Sequence, residues 1–133
     1  MIRAVLHRLR GDTALSALLG ASGDDSRIYP LTAPNFGPCL TYSLTPFASG
    51  VVSQSRVEIR AIAPSFAQCE AIGSRVTKLL GIPEDEPGWW YDGISIHAST
   101  LTGGGALEYE GADVYQWFGY FNMKWSVNNG SYR

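Results

Sequence analysis

The spacing of apolar and polar residues divides the chain into recognisable elements. Ile2, Val5, Leu6 and Leu9 fall at i, i+3, i+4 and i+7, one face of a helix. Gly11 interrupts the run. Asp12 is placed to cap a restart, with Leu15, Leu18 and Leu19 inward and Gly20 as the stop. Residues 2–19 therefore predict a kinked helix or two short ones. Residues 27–30 read as a short extended piece, and residues 33–38, with two prolines and a glycine, fit no regular element. Residues 39–45 alternate as a strand: Leu40, Tyr42 and Leu44 point one way and Thr41, Ser43 and Thr45 the other, with Pro46 expected to end it. Residues 48–55 suit a hairpin loop. Residues 56–62 then alternate strictly, apolar in and charged out, the clearest strand in the chain.

Pro64 breaks that strand, and Ser65 with Gln68 three residues on forms a capping box. Phe66, Cys69, Ile72, Val76, Leu79 and Leu80 make the stripe of a helix about 22 Å long that Gly81 closes. Residues 82–93 read as a loop holding Glu84-Asp85-Glu86 and Trp89-Trp90-Tyr91. Residues 93–101 read as a strand, and Gly103-Gly104-Gly105 as a flexible turn. Residues 114–127 have no breaker except Gly119, and as one strand would reach roughly 46 Å. Either the strand bends at Gly119, where a bulge would be natural, or one end overhangs. The order α-β-β-α-β-β predicts an α+β fold: two helices on a mostly antiparallel sheet of about four strands. The 133 residues form a single domain, with 128–133 as a short C-terminal tail.

Composition changes this picture in one respect. Charged residues are only 17% of the chain and sit beside sixteen aromatics, a shortage of charge that suggests surface covered by other protein. The net charge of −2 does not announce a nucleic-acid binder. Its distribution is uneven. Residues 1–78 carry eight Lys and Arg against five acids, whereas residues 79–123 carry no Lys or Arg and seven acids. An acidic surface of that kind is either a solvated face or one that meets basic partners and repels DNA. Cys39 and Cys69 are too few for a disulfide scaffold or a zinc site, and their apolar contexts predict buried free thiols. Charges interrupt the first ten residues, so they are not read as a secretion signal, and no stretch approaches the ~20 apolar residues of a membrane span.

The search for chemistry returns little. His7 and His97 stand alone, each expected at the surface. The triple glycine lacks the Lys-Ser/Thr of a phosphate cradle. Glu84-Asp85-Glu86 and Glu108/Glu110 are paired acids without a calcium-loop pattern or a nearby His. No catalytic, cofactor-binding or metal-binding set is assigned. Trp89-Trp90-Tyr91 has three readings: lids over the core, a protein contact, or a stacking platform for sugar or bases.

The residues resemble a family. Leu15-x-x-Leu18-Leu19-Gly20, Arg27-Ile28-Tyr29-Pro30, Ala33-Pro34, Pro38-Cys39-Leu40-Thr41-Tyr42 and Val57-Glu58-Ile59-Arg60-Ala61 lead into Ala67, Ala71-Ile72, Val76 and Leu79-Leu80. This layout is similar to the tail-terminator, or tail-to-head joining, proteins of long-tailed phages and gene-transfer particles, over nearly the whole length. The aromatic loop and the aromatic final strand are richer than the family pattern. The resemblance implies a structural virion protein without enzymatic activity or cofactor, assembled in the host cytoplasm. It implies a hexameric ring at the head-proximal end of the tail that ends tube growth. The implied partners are the tail tube protein and the head connector or stopper, with DNA passing through the lumen unbound and no membrane involved. A ring needs heterologous contacts, for which Phe47, Val51, Val52, Trp89, Trp90 and Tyr91 are the candidates. Glu84, Asp85, Glu86, Glu108, Glu110 and Asp113 are the candidate lumen-facing acids. Another head–tail connector or minor tail protein, or a small ligand-binding α+β domain, is the alternative.

Overall fold

In the computed structural model, three helices cover one face of a six-stranded sheet. It describes residues 1–23, 25–33, 37–109 and 114–127, and of residues 107–109 the backbone alone. The expected class is met, with one more helix and two more strands than the sequence suggests. The helices are α1 (Ile2–Arg10), α2 (Thr13–Leu19) and α3 (Phe66–Leu80); the strands are β1 (Ile28–Pro30), β2 (Cys39–Ala48), β3 (Ser53–Ala63), β4 (Trp89–Tyr91), β5 (Ile94–Tyr109) and β6 (Val114–Val127). The sheet order is β1-β2-β3-β6-β5-β4; β1 runs parallel to β2 and all other pairs are antiparallel.

Local chemistry explains the helices. The Asp12 carboxylate accepts from the Leu15 amide at 2.8 Å, and Gly20 ends α2 in the left-handed region at φ 71°. The Ser65 hydroxyl accepts from the Gln68 amide at 3.2 Å, the first half of the capping box, and donates to Gln68 Oε1 at 3.2 Å. Asp12 also receives two hydrogen bonds from the Arg75 guanidinium, at 2.8 and 2.6 Å, which ties the α2 cap to α3. That fork holds the Asp12 carboxyl at about 2, below the ordinary value of 3.8. Leu18 departs from expectation: it faces outward, 37% exposed, while Leu15 and Leu19 are enclosed. Phe66, at the end of the α3 stripe, is also half-exposed.

The core lies between the helices and one sheet face. Leu9, Leu15, Leu19, Ile72 and Leu80 meet Val57, Ile59, Phe121 and Met123, and all of these are 0–1% exposed. Trp117 enters this layer through a slot made by two glycines. A Cβ on Gly73 of α3 would lie 2.5 Å from the indole at Cδ2 and Cε2, and one on Gly119 would lie 2.5 Å from its Cη2. Gly119 is therefore not a bend. β6 pairs with β3 without interruption from Trp125 to Tyr115. The register shifts fall on β5 instead, at Ile96/Ala98 and at Leu101/Gly103. Cys39 and Cys69 are free and buried, and burial pushes both thiols up.

Three further expectations are corrected. Pro46 does not end β2, which continues to Ala48 with Pro46 opposite Ser55. β1 borders β2 only at Leu40, Thr41 and Tyr42, so beyond them β2 is an edge, where a missing N–H costs nothing to a neighbour. The triple glycine is not a turn. Gly103, Gly104 and Gly105 sit inside β5 opposite Tyr120, Gly119 and Phe118. A Cβ on Gly104 would strike the Phe118 carbonyl, and one on Gly103 would touch the Tyr120 ring at 3.4 Å. Glycine is what lets β5 approach this aromatic strand. The β5–β6 connection lies outside the described residues. Finally, residues 82–93 are not all loop, because Trp89-Trp90-Tyr91 forms β4, hydrogen-bonded to Ile94, Ser95 and Ile96.

Candidate functional site

The exposed contact candidates lie toward one end of the sheet, whereas Leu31, Phe66 and Leu18 are exposed elsewhere. Ser53 of β3, Trp125 of β6, Ile96 of β5 and Trp89 of β4 form a continuous row across it. Next to Ser53 is the β2–β3 hairpin tip, where Val51 is 86% and Val52 49% exposed, and Phe47 flanks it at 50%. At the far side of the same row Trp90 is 67% exposed. The candidate contact residues thus form two patches on opposite edges of one sheet, separated by four strand spacings, about 19 Å. Two different patches on opposite edges are the geometry a head-to-tail contact uses.

The aromatic triplet divides its labour. Tyr91 stacks on His7 of α1, with ring centroids 3.8 Å apart and planes 12° from parallel. The Arg8 guanidinium lies 4.5 Å over the Trp89 ring and donates to the Leu79 carbonyl at 2.5 Å. Arg3 pairs with Asp92 at 2.9 Å. Trp89 and Tyr91 are therefore lids clamped to α1, and Trp90, pointing the other way on the strand, is left exposed. Of the three readings of this triplet, the lid holds for two rings. The signal that reveals the strand is Asp92-Gly93, at φ 50° and 77°, the dipeptide of a two-residue hairpin turn.

The acids do not form one cluster. Glu84, Asp85 and Glu86 are exposed; Glu84 and Glu86 line an open groove with His97, Ala98 and Thr100 of β5. Glu108 belongs to the far end of β5, eleven residues and roughly 35 Å further along. Glu110 and Asp113 lie outside the described residues.

The sheet face away from the helices carries a ladder of cations and rings that sequence patterning alone does not single out. Arg56 lies 5.0 Å from the Phe47 ring and 5.6 Å from Tyr120, and Arg60 lies 5.7 Å from Phe118. Phe118 and Tyr120 meet edge to face at 5.7 Å. Arg60 is also paired with Glu58 and donates to Gln116 at 3.1 Å. Among the described residues no group of three or more His, Cys, Asp and Glu is arranged to hold a metal ion. His97 shares a 2.6 Å hydrogen bond with Ser126 at the surface, and His7 serves the stack on Tyr91. No helix is long and apolar enough to cross a membrane.

No family model matches the sequence, and no curated protein matches it. Among solved structures the fold is similar to a chain of the virion of a native gene transfer agent particle. The TM-score is 0.59 at 19% identity, over 90% of this chain and 90% of that one. The likeness extends over the whole architecture, not one supersecondary unit, and establishes the fold.

Proposed function

We propose that this chain is a structural virion protein that forms a ring at the head-proximal end of a phage-like tail. The ring ends tube polymerisation and joins the tail to the head connector. One observation carries the reading: the end-to-end likeness of its fold to a chain of a gene transfer agent virion. The two exposed patches on opposite sheet edges support it, because a closed ring is built from unlike surfaces meeting head to tail. The assigned roles follow. Val51, Val52 and Phe47 of one copy contact Trp90 of the next, while Trp89 and Tyr91 hold that strand on α1. Glu84, Asp85, Glu86, Glu108, Glu110 and Asp113 are assigned to the lumen, where a stretch without Lys or Arg lets DNA pass without phosphate contacts.

Disruption of the gene in a particle-producing host, with electron microscopy of the lysate, tests the role. Tails of irregular and excessive length, unjoined to filled heads, are expected. Tails of normal length joined to heads would overturn it. Normal free tails beside emptied heads would assign the chain to head completion instead.

A further inference from the structure

Two edges of the sheet stay open, and they match. On one side β4 pairs with β5 only at Ile94, Ser95 and Ile96, and the Ile82 amide caps the Ser99 carbonyl at 3.0 Å. From Thr100 onward the outer edge of β5 has no strand beside it among the described residues. On the other side β1 pairs with β2 only at Leu40, Thr41 and Tyr42, and the Leu31 amide caps the Tyr42 carbonyl at 2.9 Å. From Ser43 to Ala48 the outer edge of β2 is likewise open.

Within the strands themselves the open stretches carry little charge: residues 43–48 and residues 100–107 contain no Lys, Arg, Asp or Glu. The guards present are at their ends: Pro46 with the register shift that follows it on β2, and Glu84 and Glu86 beside Thr100 on β5. Leu44 and Leu101, one on each edge, are each 41% exposed. Gly105 is open: a Cβ there would meet nothing within 4 Å. Glycine without a packing partner in a strand is where another backbone can approach closely.

We infer that residues 43–48 of one copy add as a strand to the β5 edge, residues 100–109, of a neighbouring copy. The inference deepens the ring reading and rests on it. Direction is compatible: β2 runs antiparallel to β5 within one copy, so a rotation about an axis along the sheet preserves an antiparallel pairing between copies. Register is constrained by what blocks each edge. β4 and Ile82 occupy the β5 edge on one side of Thr100, and β1 occupies the β2 edge on the opposite side of Ser43. In the row shared by Leu44, Val57, Phe121 and Leu101 the two open stretches only just overlap, so they must slide past each other to pair fully.

A slide of about four to six residues, roughly 13–20 Å, clears both blocks. The repeating unit is four strands wide, about 19 Å. A 13–20 Å stagger per 19 Å of width corresponds to a strand tilt of about 35–45°, the tilt at which sheets close into barrels. The open edges, their blocked ends and the width of the sheet therefore agree with a closed, continuous sheet of identical copies.

Gly105→Lys places a guarding charge where the structure has room, and Thr45→Glu offers it a partner. Sedimentation velocity over a wide range of concentration reads the association, and a thermal melt confirms folding of each variant. The wild-type chain is expected to self-associate. Gly105→Lys should weaken this at least tenfold, and the double variant should recover most of it. A second measurement mixes a Thr45→Cys copy with a Gly105→Cys copy and a short bis-maleimide; Cys39 and Cys69 are 0% exposed and do not compete. Mixed dimers well above either self-dimer are expected. An oligomer insensitive to Gly105→Lys, or cross-links no stronger in the mixture, overturns the edge pairing and leaves the ring standing on other contacts. A chain that stays monomeric at every concentration also overturns it, and the gene disruption then decides the ring reading separately.

Discussion

On the helix side of the sheet, Val57, Ile59, Phe121 and Met123 are enclosed by three helices. On the other side the same two strands present Arg56, Glu58, Arg60, Phe118 and Tyr120 with no layer above them among the described residues. One residue step along β3 or β6 moves a side chain from one environment to the other. The covered face is where water is excluded, so it carries most of the stability. The open face holds rings and guanidinium groups in contacts worth only about 0.5–1 kcal/mol each when exposed. Arg56, Phe118 and Tyr120 on it are tolerant of change, unlike Cys39, Ile62 and Val114, which form a small buried cluster at one end of the same face.

The largest expected effect is on the covered face. Phe121→Ala should cost about 3–5 kcal/mol, read from the urea midpoint, because a fully enclosed ring leaves a cavity. A loss below 1 kcal/mol would mean that the layer is not tightly packed. Gly73→Ala comes next. Helix propensity favours alanine by about 1 kcal/mol. The Trp117 ring, which a Cβ at Gly73 would approach to 2.5 Å, opposes it, and overpacking of this kind costs about 1–3 kcal/mol. Net destabilisation with a changed tryptophan emission is expected, and stabilisation would refute the slot.

The helix layer also has a pH signature. Asp12 has its folded pKa depressed to about 2, chiefly by the Arg75 hydrogen bonds. The stability it provides is complete above about pH 4 and is lost as pH falls from 4 toward 2. The pair is partly solvent-accessible, 13% at Asp12 and 29% at Arg75, so the contribution is about 1 kcal/mol, less than the full shift implies. Arg75→Gln should flatten the fall in melting temperature between pH 6 and pH 2.5 relative to the wild type. An unchanged slope would remove the pair from the stability of the α2–α3 junction. The smallest effect belongs to the open face. Phe118→Ala should change the urea midpoint by no more than about 1 kcal/mol, and a loss near that of Phe121→Ala would make the two faces equivalent.

How much of this is legible in the sequence depends on which forces are local. α3 is read at nearly its true limits, and β3 in its central part, 56–62 of Ser53–Ala63, because a capping box and strict alternation are written within a few residues. β5 is misread at Gly103-Gly104-Gly105 because its strand character comes from Phe118 and Tyr120 on the next strand. β4 is legible through Asp92-Gly93, but the proline and acids before it pull the reading toward loop. The contact candidates illustrate the same limit. Exposed Val51 and Trp90 follow from sequence, whereas the open stretches of β2 and β5 depend on the order β1-β2-β3-β6-β5-β4, which no short motif encodes.

The clamp between α1 and β4 has a consequence for the order of synthesis. The partners of residues 3, 7 and 8, at positions 89, 91 and 92, leave the ribosome more than eighty residues after them. At translation rates of about 5–20 residues per second the delay is on the order of 4–17 s. Through that interval the apolar side of α1, with Val5, Leu6 and Leu9, lacks part of its final cover. Trp90 takes its outward position only when β4 docks on β5, and β6, which supplies Phe121 and Met123 to the helical layer, follows later still.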